Sequence, residues 1–204
     1  MTLREYIESE ILPHYEHYDA AHRLDHIGAV ISRSAALAKG YDVDADMVYA
    51  IAAYHDLGIC EGRETHHLTS ARMMREDGNL RNWFSEEQIE IMAQAVEDQR
   101  DSAKSAPRSI YGRIVAEADR EIDADTIVRR TVEYGLSHYP EYDREGHFNR
   151  FKEHIAEKYA RGGYIKIWIP DGENARRLEA FRTEIEQPGA LERMFDYWYD
   201  KLTA

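Results

Sequence analysis

The stretch Met47-Val48-Tyr49-Ala50-Ile51-Ala52-Ala53-Tyr54-His55-Asp56-Leu57-Gly58 decides how this chain is read. It is almost wholly apolar as far as Tyr54. Val48, Ile51, Ala52 and His55 recur at i, i+3, i+4 and i+7, the spacing of one buried helix face. Asp44 supplies an N-cap, and Gly58 predicts a left-handed helix stop. An imidazole and a carboxylate are thus delivered side by side to the inner end of a core helix. Burying both costs several kcal/mol unless each is paired or binds a metal. The dipeptide alone carries little weight: with 10 His and 16 Asp in 204 residues, about 0.8 His-Asp pairs arise by chance, so context must decide.

Around that stretch the chain reads as a succession of helices at 2–17, 22–39, 44–57, 65–77, 85–98, 108–121, 123–138, 144–160, 172–187 and 189–202. Ser85-Glu86-Glu87-Gln88 is a capping box, and Gly40 and Gly78 stand where helix stops are expected. Tyr164-Ile165-Lys166-Ile167-Trp168-Ile169 breaks the pattern. Its β-branched alternation between Gly162-Gly163 and Pro170 reads as a short strand or an extended lid. The expected fold is all-α, one domain over 1–204, with a metal-binding core at about 19–125 and a C-terminal helical extension at about 140–204.

A hydrophobic share of 43% with 32% charged residues is that of a soluble globular chain. The net charge of −13 disfavours nucleic-acid polymers and anionic membranes as partners. Cys60 stands alone, so no internal disulfide forms, and no apolar run approaches a membrane span. Met1-Thr2-Leu3-Arg4-Glu5-Tyr6 lacks the basic-then-apolar pattern of a signal peptide, and a cytoplasmic location is expected. The aromatic tail Phe195-Asp196-Tyr197-Trp198-Tyr199 reads as core or as a homodimer contact.

Three further polar residues share the placement of His55-Asp56. His26 begins the apolar row His26, Val30, Leu37, with His22 one turn earlier on that face. Asp119 ends the row Tyr111, Val115, Asp119. His66 lies four residues before Ser70, on the face continued by Met73 and Met74. Buried polar groups on separate helices point to one shared centre, and a divalent ion is the simplest species to hold it together.

The order His26, His55-Asp56, Asp119 resembles the HD-domain metal-dependent phosphohydrolases. The local strings Ala21-His22-Arg23-Leu24-Asp25-His26, Tyr54-His55-Asp56-Leu57-Gly58, His66-His67-Leu68-Thr69-Ser70-Ala71 and Ala116-Glu117-Ala118-Asp119-Arg120 carry the likeness. The resemblance implies an all-helical bundle and one ion on His26, His55, Asp56 and Asp119. Two-metal relatives add a His near 66–67 and another near 97–99. Here the second position reads Val96-Glu97-Asp98-Gln99-Arg100, so Glu97 or Asp98 must supply an oxygen ligand, or the second site is absent. Mixed imidazole and carboxylate donors suit Mn, Fe, Co, Ni or Zn, and Mg less well.

The implied reaction is attack of a metal-bound hydroxide on phosphorus, with His55 and Asp56 at its centre. The expected substrate is a small phosphorylated metabolite, most plausibly a nucleotide. Lys104 and Arg108, on the loop Arg100–Arg108, are candidate phosphate contacts, with Arg23, His22 and His67 as further substrate-binding candidates. Two other readings stand beside this one. The first is a non-catalytic metal- or ligand-binding module; the second is a di-iron oxygenase on the same scaffold, which the missing histidine disfavours.

Overall fold

The computed structural model describes residues 1–17, 24–99, 105–120 and 122–204. Among the described residues there are ten α-helices and no strand. They fall into two compact units, Met1–Arg120 and Glu121–Ala204.

The first unit contains α1 (Leu3–Tyr6), α2 (Leu24–Ala38), α3 (Ala45–Tyr54), α4 (His66–Glu76), α5 (Glu86–Glu97) and α6 (Ile110–Asp119). The expected first helix is continuous but irregular. After α1 it widens to a π-helical stretch, Ile7–Ile11, and then tightens to a 3-10 helix, Leu12–His17. Pro13 lies in the tightened part, where its missing N–H removes one backbone donor. Side-chain caps begin α3 and α5 as read: Asp44 accepts from Asp46 N and Met47 N, and Ser85 with Gln88 forms the capping box.

Every residue of α3 from Met47 to Tyr54 is buried. The helix has no solvent face, which is the signature of a central helix. It packs against α2, α5 and α6. Ile27 and Val30 from α2, Met92 and Val96 from α5, and Val115 from α6 surround it, while Met74 of α4 joins the same core. The polar residues at the end of α3 therefore open into the middle of the unit.

Gly58 plays a different part from the one its sequence position suggests. It does not take a left-handed conformation; among the described residues only Gly62, Gly162 and Gly189 have positive φ. It lies in a 3-10 turn, Leu57–Glu61, pressed against the start of α4. A Cβ at Gly58 would stand 2.4 Å from the His66 carbonyl oxygen, 2.5 Å from Ser70 N and 2.6 Å from Thr69 Cβ. Close approach, not backbone conformation, demands glycine here. Gly58 N also donates to Ser70 Oγ at 2.8 Å, stitching the turn to α4.

The second unit contains α7 (Ala124–His138), α8 (Arg144–Lys158), α9 (Glu173–Ile185) and α10 (Ala190–Thr203). Its core gathers Val128 and Val132, Phe151 and Ile155, Leu178 and Phe181, and Phe195. Residues 164–169 form no strand. The amides of Tyr164 and Ile165 donate to the Glu157 and Lys158 carbonyls at 3.0 and 3.1 Å, and Ile165 and Ile169 are buried. The terminal carbonyls of α8 thus supply the acceptors that a neighbouring strand would otherwise provide. From the aromatic tail, Phe195 is core and Tyr197 is exposed.

Gly58→Ala should destabilise the protein by about 1–3 kcal/mol, because the facing atoms are backbone and cannot yield cheaply. Gly28→Ala, on α2 with nothing within 4 Å, should instead stabilise by roughly 0.5–1 kcal/mol. Urea unfolding of both variants checks the pair. Equal midpoints would contradict the close-packing account.

Candidate metal centre

Helix α3 ends at Tyr54, and its last carbonyls need partners from outside the helix. Each finds one. The Ala52 carbonyl accepts from His55 Nδ1 at 2.8 Å, and the Ala53 carbonyl from the buried Tyr15 hydroxyl at 2.8 Å. The His55 carbonyl accepts from Gln99 Nε2, and the Asp56 carbonyl from Ile59 N at 3.1 Å. Asp56 itself adopts φ −110°, ψ 6°, the bridge region common among active-site residues. The chain is thereby turned out of the helix with the His55 and Asp56 side chains fixed.

A carbonyl only accepts, so the hydrogen bond to Ala52 places the His55 proton on Nδ1. Nε2 then points inward, carrying a second proton in the metal-free protein and a lone pair when an ion takes that proton's place. That atom is fully buried and makes no hydrogen bond. Asp56 Oδ2 stands 3.3 Å from it and Asp119 Oδ1 3.7 Å. His26 Nε2, from α2, is 3.1 Å from Asp119 Oδ1 and 3.7 Å from Asp56 Oδ2.

Two donors bound at about 2.1 Å and subtending 90–109° lie about 3.0–3.4 Å apart. His26–Asp119 at 3.1 Å and His55–Asp56 at 3.3 Å fall within that range, and the two separations of 3.7 Å lie just above it. His26, His55 and Asp56 offer ligand atoms that all lie within 4.8 Å of one another. The buried His55 Nε2 without a hydrogen bond and the mixed nitrogen and oxygen donors match a divalent cation.

Asp119 closes α6, whose last turn is held by Arg33 of α2: Arg33 Nε donates to the Ala118 carbonyl at 2.6 Å. A guanidinium at a helix C-terminus complements the negative end of the dipole and fixes the turn that carries Asp119. Burial alone would raise the Asp119 pKa. The imidazoles of His26 and His55 outweigh it and hold the carboxyl well below its ordinary range. Burial likewise opposes a charge on His55, but the Asp56 and Asp119 carboxylates prevail and raise its pKa well above the imidazole norm.

The other oxygen of Asp56 looks elsewhere. His66 Nε2, at the start of α4, is 3.3 Å from Asp56 Oδ1. His66 Nδ1 donates to the Arg63 carbonyl at 2.7 Å, so its Nε2 is also left with a lone pair. Gln99 Nε2 reaches the same Oδ1 at 3.5 Å. His67 follows on α4 with its ring edge-on to His66.

The remaining candidates are placed differently. Glu97 pairs with Arg75 at 2.8 Å and with Arg108 at 2.5 Å, and Asp98 accepts from Arg108 N at 2.7 Å and pairs with its guanidinium at 2.9 Å. Both carboxylates are therefore neutralised by arginines. Arg108, read as a phosphate contact, spends its guanidinium on these acids and on the Gln94 carbonyl. His22, Arg23 and Lys104 lie outside the described residues. Gln99 and Arg33 join the site without having been singled out. Gln99 continues the buried row Met92, Val96, and that periodicity could have found it.

A model of the HD domain matches residues 23–122, a span that begins before His26 and ends after Asp119. The chain belongs to the HD-domain superfamily. Among solved structures, this HD-domain protein is similar to a crystal structure of a predicted HD superfamily hydrolase from an uncultured Thermotogales bacterium. The two are 20% identical with a TM-score of 0.48, over 76% of this chain and 92% of that one. No curated protein matches the HD-domain chain.

The coupled charges predict a pH profile for metal-free protein. The Asp119 contribution to stability is complete above the ordinary carboxylate pKa and fades as the pH falls through its lowered value. The His55 contribution is complete below the ordinary imidazole pKa and fades as the pH rises through its raised value. Urea midpoints should therefore be highest between about pH 4 and 6.5 and decline on the alkaline side. Asp119→Asn should flatten that alkaline decline. An unchanged alkaline limb in the variant contradicts the coupling.

Proposed function

We propose that this HD domain holds one divalent ion on His26, His55, Asp56 and Asp119 and hydrolyses a small phosphorylated metabolite, with nucleotides the leading class. The observation that carries this reading is the fully buried Nε2 of His55, which makes no hydrogen bond and faces two carboxylates. An ion held there would take the place of the imidazolium proton, whose charge the carboxylates otherwise stabilise. Mn, Fe, Co, Ni and Zn suit the donor set better than Mg. When bound, the ion supplies Lewis acidity toward a phosphoryl oxygen and toward water.

The side chains divide the remaining work. His26 and His55 give neutral nitrogens, so the two carboxylates leave the centre close to charge balance with a divalent cation. Asp56 faces both ways: Oδ2 toward the imidazoles and Oδ1 toward His66. His66 has its Nδ1 proton committed to Arg63, so Nε2 is placed to accept a proton delivered along Asp56 Oδ1. Arg23 and Lys104 remain the proposed phosphate contacts, since Arg108 is engaged elsewhere.

A single ion is favoured by Gln99. Its amide nitrogen donates toward Asp56 Oδ1, the oxygen a second ion beside His66 would need. Glu97 and Asp98, held by Arg75 and Arg108, offer no substitute. No helix among the described residues is long and apolar enough to cross a membrane, and the proposed location is the cytoplasm.

Elemental analysis of purified protein should find one divalent ion per chain. Phosphate or pyrophosphate release should appear across a nucleotide panel with Mn, Co, Ni or Mg. Asp56→Ala should abolish both. A fully loaded protein that releases neither product from any nucleotide overturns the enzymatic reading and leaves the metal-binding module. Gln99→His should raise the metal content from one to two per chain. A content still at one would show that Gln99 is not what excludes the second ion.

A further inference from the structure

The second unit carries a groove of about 380 Å³ between α7 and α8. That volume falls within the range of small-molecule sites, about 300–1,000 Å³. Three of its lining residues are basic: Arg130 from α7, and Arg150 and His154 from α8. None of the lining residues is acidic, although the whole chain carries a net charge of −13. Against that background a cavity walled by two guanidiniums and an imidazole, with no carboxylate, is a marked local reversal of charge.

The groove is also built rather than merely exposed. Its floor is the buried pair Ile127 and Thr131. Arg150 is fixed in place: Nη1 donates to the Thr131 carbonyl at 3.1 Å, and the guanidinium lies 5.0 and 5.2 Å from the Tyr134 and Tyr139 rings. A guanidinium held this way keeps further donors for a ligand and loses little entropy on binding. Arg150 and His154 stand one helical turn apart, on the same face of α8. Burial, then Lys158 and Arg150, push the His154 pKa down against the opposing Glu157 carboxylate.

Another cavity of this unit, about 480 Å³, contrasts with it. Asp123, Asp125 and Glu184 line it together with Arg193. The protein's own Lys201 ammonium already lies 4.6 Å from the Trp198 ring and 5.4 Å from that of Tyr197.

We propose that the α7–α8 groove binds a compact multivalent anion, a phosphate-bearing or polycarboxylate small molecule, through Arg130, Arg150 and His154. This site shares no residue with the metal centre and does not depend on the proposed hydrolysis. Guanidinium forks match phosphate and carboxylate oxygens equally well, so the two sources share one recognition chemistry.

The test uses full-length, EDTA-treated protein, so that loss of the metal reading leaves it untouched. Calorimetric titrations with pyrophosphate, citrate and sulfate at matched ionic strength are compared, with His154 ring resonances followed by NMR. Pyrophosphate or citrate should bind at one site about tenfold more tightly than sulfate and shift the His154 signals. Preference for one of the two identifies the ligand class. Arg130→Ala, at an exposed position, should weaken binding about fivefold to tenfold. Arg150→Lys should also weaken it, because the charge remains and the fork is lost. Equal binding of all three anions, unshifted His154 resonances, or wild-type affinity in both variants would each overturn the proposal.

Discussion

The Asp56 carboxylate is the constraint on which the first unit turns. Its two oxygens serve different neighbours, one facing the imidazoles of His26 and His55 and the other facing His66 and Gln99. A buried anion tolerates such a position only when cations or hydrogen-bond donors surround it. The core delivers them from four directions: the end of α3, the middle of the first unit through α2, the start of α4, and the close of α5. Gly58 lets the turn after Asp56 press onto α4, which brings His66 within reach. Tyr15 and Gln99 satisfy carbonyls that the end of α3 would otherwise leave bare. Stability and site assembly thus draw on the same contacts.

Much of this was legible in the residues. Helical spacing located α2 to α10 to within a few positions, because long amphipathic runs with Asp and Ser caps leave little ambiguity. His26, His55, Asp56 and Asp119 were conspicuous as polar residues on apolar rows; His26, His55 and Asp56 lie in one group, and Asp119 Oδ1 is 3.1 Å from His26 and 3.7 Å from His55. Gly58 was legible as glycine but not in its purpose, since a close tertiary approach leaves no local trace. Residues 164–169 had a strand-like composition, yet strand formation needs a partner. The end of α8 supplied the acceptors instead.

The region after α5 shows where chemistry-based reading falls short. Glu97 and Asp98 are the better metal ligands by type, and Gln99 is the poorer one. Helical phase decides otherwise: Gln99 follows Met92 and Val96 inward, while the two acids face Arg75 and Arg108. Arg108 illustrates the converse, a cation suited to phosphate but already committed to acids of its own chain. Both outcomes depend on pairings between elements distant in sequence, which composition and periodicity do not encode.

The central claim is that one divalent ion sits among His26, His55, Asp56 and Asp119. Anomalous diffraction from crystals grown with Mn tests it most directly. The account predicts a single anomalous peak bonded to His26 Nε2, His55 Nε2 and oxygens of Asp56 and Asp119. Two peaks bridged by Asp56, or a peak that does not touch His55, would contradict it.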